Sequence, residues 1–530
     1  MTDLHSAGHR RGAVCAPHHG AVEAGCAILA EGGNALEAMV AMAAAIAAVY
    51  PHMNHIGGDG FWLIREASGR IRAIMAAGPA GLQAKPELYR GQETIPPRGP
   101  LAALTVPSAV GGWTLALEMA KGNGGRLPLD VLLAPAIAYA RGGYAVTRSQ
   151  ATLTRENLAG LKDVPGFAAT FLVDGRPPEV GAAMKQATLA ETLAQLAHAG
   201  LDDFYRGDVG REISADLERI GSPLSREDLS RYSANFAEPL RIALPSGVIY
   251  NTGAPTQGVV SLMILALFAR LGVTQAEGFD HIHGLVEATK RALRVRDRAV
   301  TDPDYLSLAL ERYLDGRFIA GEAMKIDRRK AAPWPLRSGE SDTIWMGAAD
   351  TSGLVVSYIQ SIYWEFGSGC VLPRTGVLMQ NRGASFSLHP EALNFLAPGR
   401  LPFHTLNPAL AVLRDGRIMA YGCMGGDGQP QTQGALFTRH VLFGEPLAEA
   451  LDRPRWVLGR TWGAAKTALR LESRFDGDVV EALTAAGHDI DLLSEPYSDV
   501  MGHAGAAVLH KDGSCESAHD PRADGGAAGL

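Results

Sequence analysis

Ser341-Asp342-Thr343-Ile344-Trp345 stands at an abrupt change of character in the chain. Upstream, Lys325 to Asp342 is polar and charged and is broken by Pro333, Pro335 and Gly339, the composition of a linker. Downstream, Thr343 to Ala349 and Leu354 to Ser361 read as strands joined at Asp350-Thr351-Ser352-Gly353, a hairpin signal. A strand that opens on a threonine directly after a linker is the layout of a precursor that cuts itself to expose an N-terminal nucleophile. A threonine hydroxyl is a weak nucleophile. A free α-amine on the same residue, with a pKa of about 7.7–8, can serve as its base near working pH. Within a chain, only cleavage of a peptide bond creates that amine. Taken alone, a threonine after a linker is simply a strand residue, so the reading depends on its company.

Outward from this point the pattern is mixed. Gly20 to Glu31 has helical composition and stops at Gly32-Gly33, and Asn34 with Glu37 offers a capping pattern for the next helix. That next run, Ala35 to Tyr50, is mostly alanine, is interrupted by Glu37 and ends at Pro51, so it reads as a buried helix too short to span a bilayer. A loop over His52 to Gly60 precedes a strand, Phe61 to Arg65. Leu127 to Arg141, Gln186 to Gly200, Gly258 to Leu271, His281 to Arg298 and Val479 to Gly487 read as helices. Gly247 to Asn251, Pro408 to Leu413, Arg417 to Gly422 and Ala506 to His510 read as strands. Paired strands with long flanking helices predict a layered α/β (α+β) protein with largely antiparallel sheets.

The totals narrow the function classes. The chain has 530 residues, 47% hydrophobic and 20% charged, which is globular composition. A net charge of −7 and no basic run longer than Arg328-Arg329-Lys330 argue against nucleic acid as a partner. Five scattered cysteines without CxxC pairing read as reduced, packed thiols. Met1 to Arg11 is polar and carries no apolar stretch of signal-peptide length, so a cytoplasmic protein without membrane attachment is expected.

Few motifs carry chemistry. Gly425-Gly426-Asp427-Gly428, after a strand, could present backbone N–H groups to an oxyanion, although such a loop is more often a turn. Gly57-Gly58-Asp59-Gly60 lacks the Lys and Ser/Thr of a phosphate-binding P-loop and also lacks Rossmann spacing. His52 and His55 with Asp59 resemble metal ligands only loosely, and a loop pair without a second cluster is more often structural. His281 and His283, two apart on a helix, do not share a face. No Gly-x-Ser-x-Gly elbow is present.

Many motifs occur together in one order. They include Gly32-Gly33-Asn34-Ala35, Pro51-His52, Ile56-Gly57-Gly58-Asp59-Gly60-Phe61, Val106-Pro107-Ser108 and Pro135-Ala136-Ile137. Asp203-Phe204-Tyr205-Arg206-Gly207, Glu227-Asp228-Leu229, Glu287-Ala288 with Lys290, Asp302-Pro303-Asp304, Gly425-Gly426 and Asp520-Pro521-Arg522 follow. With them the chain resembles the γ-glutamyltranspeptidase family of N-terminal-nucleophile hydrolases, from about Gly12 to Arg522. The resemblance implies a four-layer αββα fold and self-cleavage before a threonine. By alignment on the hairpin and Phe366-Gly367 the scissile bond is Asp342–Thr343, giving chains 1–342 and 343–530 that stay together as one unit. It implies Thr343 as nucleophile, Ser361 orienting it, and Gly425 and Gly426 as the oxyanion hole.

The departures from the family pattern carry the substrate information. Ile74-Met75-Ala76-Ala77-Gly78-Pro79 lacks the arginine that holds a glutamyl α-carboxylate in the family. Gln380-Asn381-Arg382-Gly383-Ala384-Ser385-Phe386-Ser387 lacks the acids that hold its α-amine. Ser361-Ile362-Tyr363 replaces the usual Thr-x-Asn, and His404-Thr405 replaces tandem serines. Arg382, His404, Thr405 and Tyr363 are therefore the expected substrate-binding groups, although a loop arginine such as Arg382 is often merely solvated. They suit a small anionic amide without an α-amine. Pro402-Phe403-His404-Thr405-Leu406-Asn407-Pro408 and Met424 to Gln431 resemble the family's oxamate amidohydrolase branch, which implies hydrolysis of oxamate to oxalate and ammonia and a place in purine degradation. No cofactor and no metal are expected. The alternatives are a γ-glutamyl hydrolase or transpeptidase, a glutaryl-type acylase, or a non-catalytic homologue that would not cut itself. Whether two heterodimers pair is left open.

Overall fold

The computed structural model describes residues 3–334, 342–459 and 467–530, with the side chain of Asp342 excepted. Ser341 and the rest of the expected linker beyond residue 334 lie outside the described residues. Two seven-stranded sheets, antiparallel throughout, are stacked face to face. The first runs, edge to edge, Gly526–Gly529, Gly12–Ala16, Asp342–Asp350, Val355–Tyr363, Asp59–Arg65, Ile71–Ala76 and Asn235–Ala237. The second runs His5–His9, Cys515–His519, Ala504–Leu509, Ile418–Cys423, Ala409–Leu413, Gly247–Asn251 and Leu240–Leu244.

Three apolar layers make the four-layer order. Phe61, Leu63, Trp345, Ile359, Leu410, Ala420 and Ala507 fill the space between the sheets. Helices including Ala35–Val49, Ala109–Gly122 and Leu129–Gly142 cover the outer face of the first sheet. Gly258–Phe268, Phe279–Ala299 and Gln429–Phe437 cover the second. The expected αββα sandwich is thus the observed fold.

Every residue of the helix Ala35–Val49 is buried, which its alanine-rich sequence permits because it has no polar face to expose. Asn34 caps it by accepting from the N–H groups of Leu36 and Glu37, and the Glu37 carboxylate accepts from the Asn34 N–H at 2.9 Å, closing the capping box. Asp350, at the hairpin, accepts from the Ala35 N–H at 2.7 Å and so places a negative charge at the positive end of this helix. No helix of the described residues is long and apolar enough to cross a membrane.

Two residues after Thr343, the Trp345 indole is wedged between the sheets. A Cβ built on Gly422 would lie 2.2 Å from its ring, and Cβ atoms on Gly347 and Gly505 would lie 2.7 Å from it. These glycines form the slot. The indole N–H donates to Ser357 Oγ at 2.9 Å, so the Thr343 strand is fixed in register and in depth. The helices Ala109–Gly122, Arg148–Leu161 and Asp208–Ile220 were not expected from the sequence reading, which marked only the more regular apolar stretches.

Candidate active site

Thr343 lies at an irregularity of the pairing between its strand and the next. Asp342 pairs with Tyr363 and Ile344 with Gln360, so Ser361 and Ile362 together face the single Thr343. A bulge of this kind re-aims side chains. Thr343 Oγ1 donates to Ser361 Oγ at 3.2 Å, and the Tyr363 N–H donates to the same oxygen at 2.9 Å. Thr343 and Ser361 are fully buried. The approach is tight: a Cβ on Gly58 would sit 2.1 Å from the Ser361 carbonyl oxygen. The turn after Ser361 is unusual as well, with Tyr363 at φ 83° and Phe366 at φ 59°.

Arg382 begins a short 3₁₀ turn, Arg382–Ser385, docked on the end of the Ser361 strand. Asn381 anchors it: its N–H donates to the Ile362 carbonyl at 3.1 Å, and its side-chain oxygen accepts from the Trp364 N–H at 3.0 Å. Solvation of Arg382 is not observed, because the side chain is completely buried. Its guanidinium lies over the Tyr363 ring at 3.9 Å, yet none of its three nitrogens has a hydrogen-bond partner among the described residues. Burial draws its pKa down to about 10, against the opposing pull of Tyr363 and Asp59, and it remains a cation.

Asp59 and His404 complete this pocket. Asp59 Oδ1 accepts from Ser108 Oγ at 2.6 Å and from the Gly78 N–H and Gln380 Nε2 at 3.0 Å. Oδ2 has no hydrogen bond among the described residues and lies 3.9 Å from Arg382 Nε and 3.8 Å from His404 Nε2. Burial raises the Asp59 pKa to about 6, although Arg382 and the three donors act in the opposite direction. His404 packs edge-on against Phe61, and neither ring nitrogen has a hydrogen bond among the described residues. Burial, reinforced by Arg382, holds its pKa well below the ordinary value, so the ring is neutral. The sequence had pointed to Asp59 only as a loose metal ligand with His52 and His55. The structure separates them: His52 bonds Ser149 Oγ at 3.1 Å, and His55 Nδ1 accepts from the Leu378 N–H at 3.1 Å.

Gly425 and Gly426 follow the strand Ile418–Cys423 with φ of 107° and 47°, backbone that favours glycine. They lead through Gly426–Gly428 into the helix Gln429–Phe437, whose first N–H groups have no intrahelical acceptor and carry positive partial charge. The loop is clamped from behind. Gln257 Nε2 donates to the carbonyls of Gly426 and Thr405 at 2.8 and 2.7 Å, which joins Thr405 to the glycine loop. Arg296 Nη1 donates to Gln257 Oε1 at 3.0 Å and to Asp427 Oδ1 at 2.5 Å. Gln257, Arg296 and Asp427 were not singled out in the sequence, since their partners lie far along the chain.

His283, Glu287 and His488 form a buried group with ligand atoms within 4.8 Å of one another. Their polar atoms already have partners: His283 bonds His488 and the Asp327 carbonyl at 2.8 Å, and Glu287 accepts from Lys290 at 2.6 Å. A cation there would have to displace Lys290.

Two stacked antiparallel sheets enclosed by helices, with the site at the inner strands, are the architecture of N-terminal-nucleophile hydrolases. A solved structure of that fold, the cephalosporin acylase from Bacillus halodurans, superposes with a TM-score of 0.90 at 31% identity, covering 99% of this chain and 97% of that one. The γ-glutamyltranspeptidase profile matches residues 21–530, and the chain belongs to that family. It is 51% identical to the oxamate amidohydrolase proenzyme of Klebsiella pneumoniae subsp. pneumoniae over 98% of both chains. It is 37% identical to the glutathione hydrolase-like YwrD proenzyme of Bacillus subtilis, again over 98% of both. The chain is an N-terminal-nucleophile amidohydrolase made as a self-processing precursor.

Proposed function

We propose that the precursor cuts itself between Asp342 and Thr343 and that the resulting enzyme hydrolyses oxamate to oxalate and ammonia. The observation that carries the substrate class is Arg382, a buried guanidinium with no hydrogen-bond acceptor for any of its nitrogens among the described residues. A buried guanidinium whose nitrogens make no hydrogen bond is costly even with Asp59 3.9 Å away, and an anionic substrate supplies the acceptors. Arg382, Tyr363, His404 and Thr405 surround the substrate carboxylate in this reading. The relative at 51% identity, named for oxamate, supports the choice of amide.

Thr343 Oγ attacks the amide carbon while its proton passes to the Thr343 α-amine. The oxyanion that forms is held by the Gly425 and Gly426 N–H groups. The α-ammonium returns the proton to the leaving nitrogen, the C–N bond breaks, and ammonia departs from an oxalyl ester on Thr343. Water then attacks the ester, giving a proton to the α-amine. Cleavage of the ester C–O bond releases oxalate, and the proton returns to Thr343 Oγ. Ser361 Oγ, which accepts from Thr343 Oγ1, fixes the direction of the hydroxyl. We place the enzyme in the cytoplasm, in purine degradation, as two associated chains, 1–342 and 343–530. Its five free thiols fit a reducing compartment.

One observation favours a second reading, a γ-glutamyl substrate. Asp59 and Arg382 put an acid and a base 3.9 Å apart, charges that a zwitterionic head group needs and that the sequence motifs had seemed to lack. Ammonia release from oxamate by wild type and by Thr343→Ala in parallel is the test. Turnover only in the wild type supports the proposal. A correctly cleaved wild type that leaves oxamate intact and releases chromophore from a γ-glutamyl anilide overturns it in favour of the second reading.

A further inference from the structure

Asp59 takes no part in the acyl transfer described above, yet among the described residues it is the one carboxylate placed against both Arg382 and His404. The strand pairing sets it directly opposite Ser361. Three donors occupy Oδ1 and lock the carboxylate plane, while Oδ2 has none among the described residues and faces the two pocket bases. We propose that Asp59 sets the charge of this pocket, so that the site takes up its anion together with one proton, carried on Asp59 Oδ2. The inference rests on Arg382 being the anion's partner.

The argument is one of buried charge. With Asp59 ionised and His404 neutral, Arg382 and Asp59 cancel, and an entering monoanion leaves the buried site one charge negative. With Asp59 protonated, the same anion pairs with Arg382 and the site is neutral. Two carboxylates sharing one guanidinium in a dry pocket do not both stay ionised, and the demand is stronger for a dianion. The proton lands on Oδ2 because only that oxygen lacks a donor, and the resulting hydroxyl can donate to the anion or to His404 Nε2, 3.8 Å away. Other groups facing Asp59 do not compete for it. Ser108, Gln380 and the Gly78 amide do not titrate, and burial keeps the phenols of Tyr205, Tyr232 and Tyr358 protonated. In the empty site Asp59 titrates at about 6, so it is ionised at neutral pH and has a proton to gain. An ammonium-bearing ligand would need the opposite, an ionised Asp59.

Calorimetric titration of oxalate into the cleaved enzyme, in buffers of different ionisation heat, counts the protons. Uptake approaching one proton per site near neutral pH is expected, with Kd weakening about tenfold per pH unit above about pH 6. Asp59→Asn is expected to bind oxalate with no uptake and a nearly constant Kd. Binding by wild type without uptake, or a flat Kd against pH, overturns the proposal even if the variant does not fold. Equal uptake in Asp59→Asn also overturns it, because the proton then belongs to His404 or to the Thr343 α-amine. Ammonia release from oxamate is measured on the same preparation. Uptake without turnover removes the oxamate reading and keeps Asp59, whereas turnover without uptake removes only Asp59.

Discussion

At the scale of single residues, reactivity here depends on hydrogen bonds of a few buried side chains. Ser361 Oγ is held by the Tyr363 N–H and accepts from Thr343 Oγ1, so Ser361→Ala removes a bond that aims the proposed nucleophile without emptying much volume. A loss of about 10- to 100-fold in kcat is expected, in line with about 1.5–3 kcal/mol for a hydrogen bond in a charged setting, with self-cleavage slowed and followed on denaturing gels. Arg382→Lys keeps the charge but loses the planar fork and its stacking on Tyr363. KM for oxamate is expected to rise by about 10- to 100-fold with a smaller change in kcat, as steady-state kinetics would show. Thr343 was singled out in the sequence by the linker and hairpin that flank it, and Ser361 only by its place in the family motif. Asp59 was visible only as a loop acid, since its partners Arg382 and His404 lie more than three hundred residues away in the chain.

Among elements, the positions that admit no alternative are backbone approaches. Gly58→Ala would push a Cβ to 2.1 Å from the Ser361 carbonyl, a backbone atom that cannot rotate away. The Gly58 loop must then separate from the Ser361 strand. A chain that stays uncut and inactive is the expected outcome on a denaturing gel. Farther off, Asp520 Oδ2 accepts from the Ala504 N–H at 2.7 Å and meets Arg455 at 2.5 Å, while Oδ1 meets Arg522 at 3.0 Å, which ties the last strands to the loop before Trp456–Leu458. Burial alone would raise the Asp520 pKa, but Arg455 and Arg522 outweigh it and hold it well below the usual carboxylate range. That stabilisation is present above the unfolded carboxylate pKa, about 3.9, and is lost as pH falls below it. Asp520→Asn leaves two buried arginines short of charge and should cost about 3–5 kcal/mol in denaturant titration at neutral pH.

For the whole molecule, the proposed cleavage would not define a new boundary. Each sheet holds strands from both sides of Asp342–Thr343: Gly12–Ala16 pairs with Asp342–Asp350 in one, and Gly247–Asn251 with Ala409–Leu413 in the other. Arg296 and Asp427 join the two parts through a buried ion pair, and His283 and His488 through a buried hydrogen bond. Separating the chains would expose all three apolar layers. Cleaved enzyme is therefore expected to elute as one species in native size-exclusion chromatography and to split into two bands only under denaturation. Two peaks without denaturant would contradict this.

The sequence by itself determined the type of the more regular elements, the hairpin that opens on Thr343 and the family, because these depend on local periodicity, turn residues and ordered motifs. It also offered Arg382 and His404 as pocket groups, but not their state. Only the tertiary structure decided that Arg382 is buried with no hydrogen-bond acceptor among the described residues, that Asp59 lies beside both it and His404, and that Arg296 and Gln257 brace the Gly425-Gly426 loop. Burial and charge pairing are properties of the space between elements, set by how two sheets stack and where distant loops meet, and no local pattern in a chain encodes them.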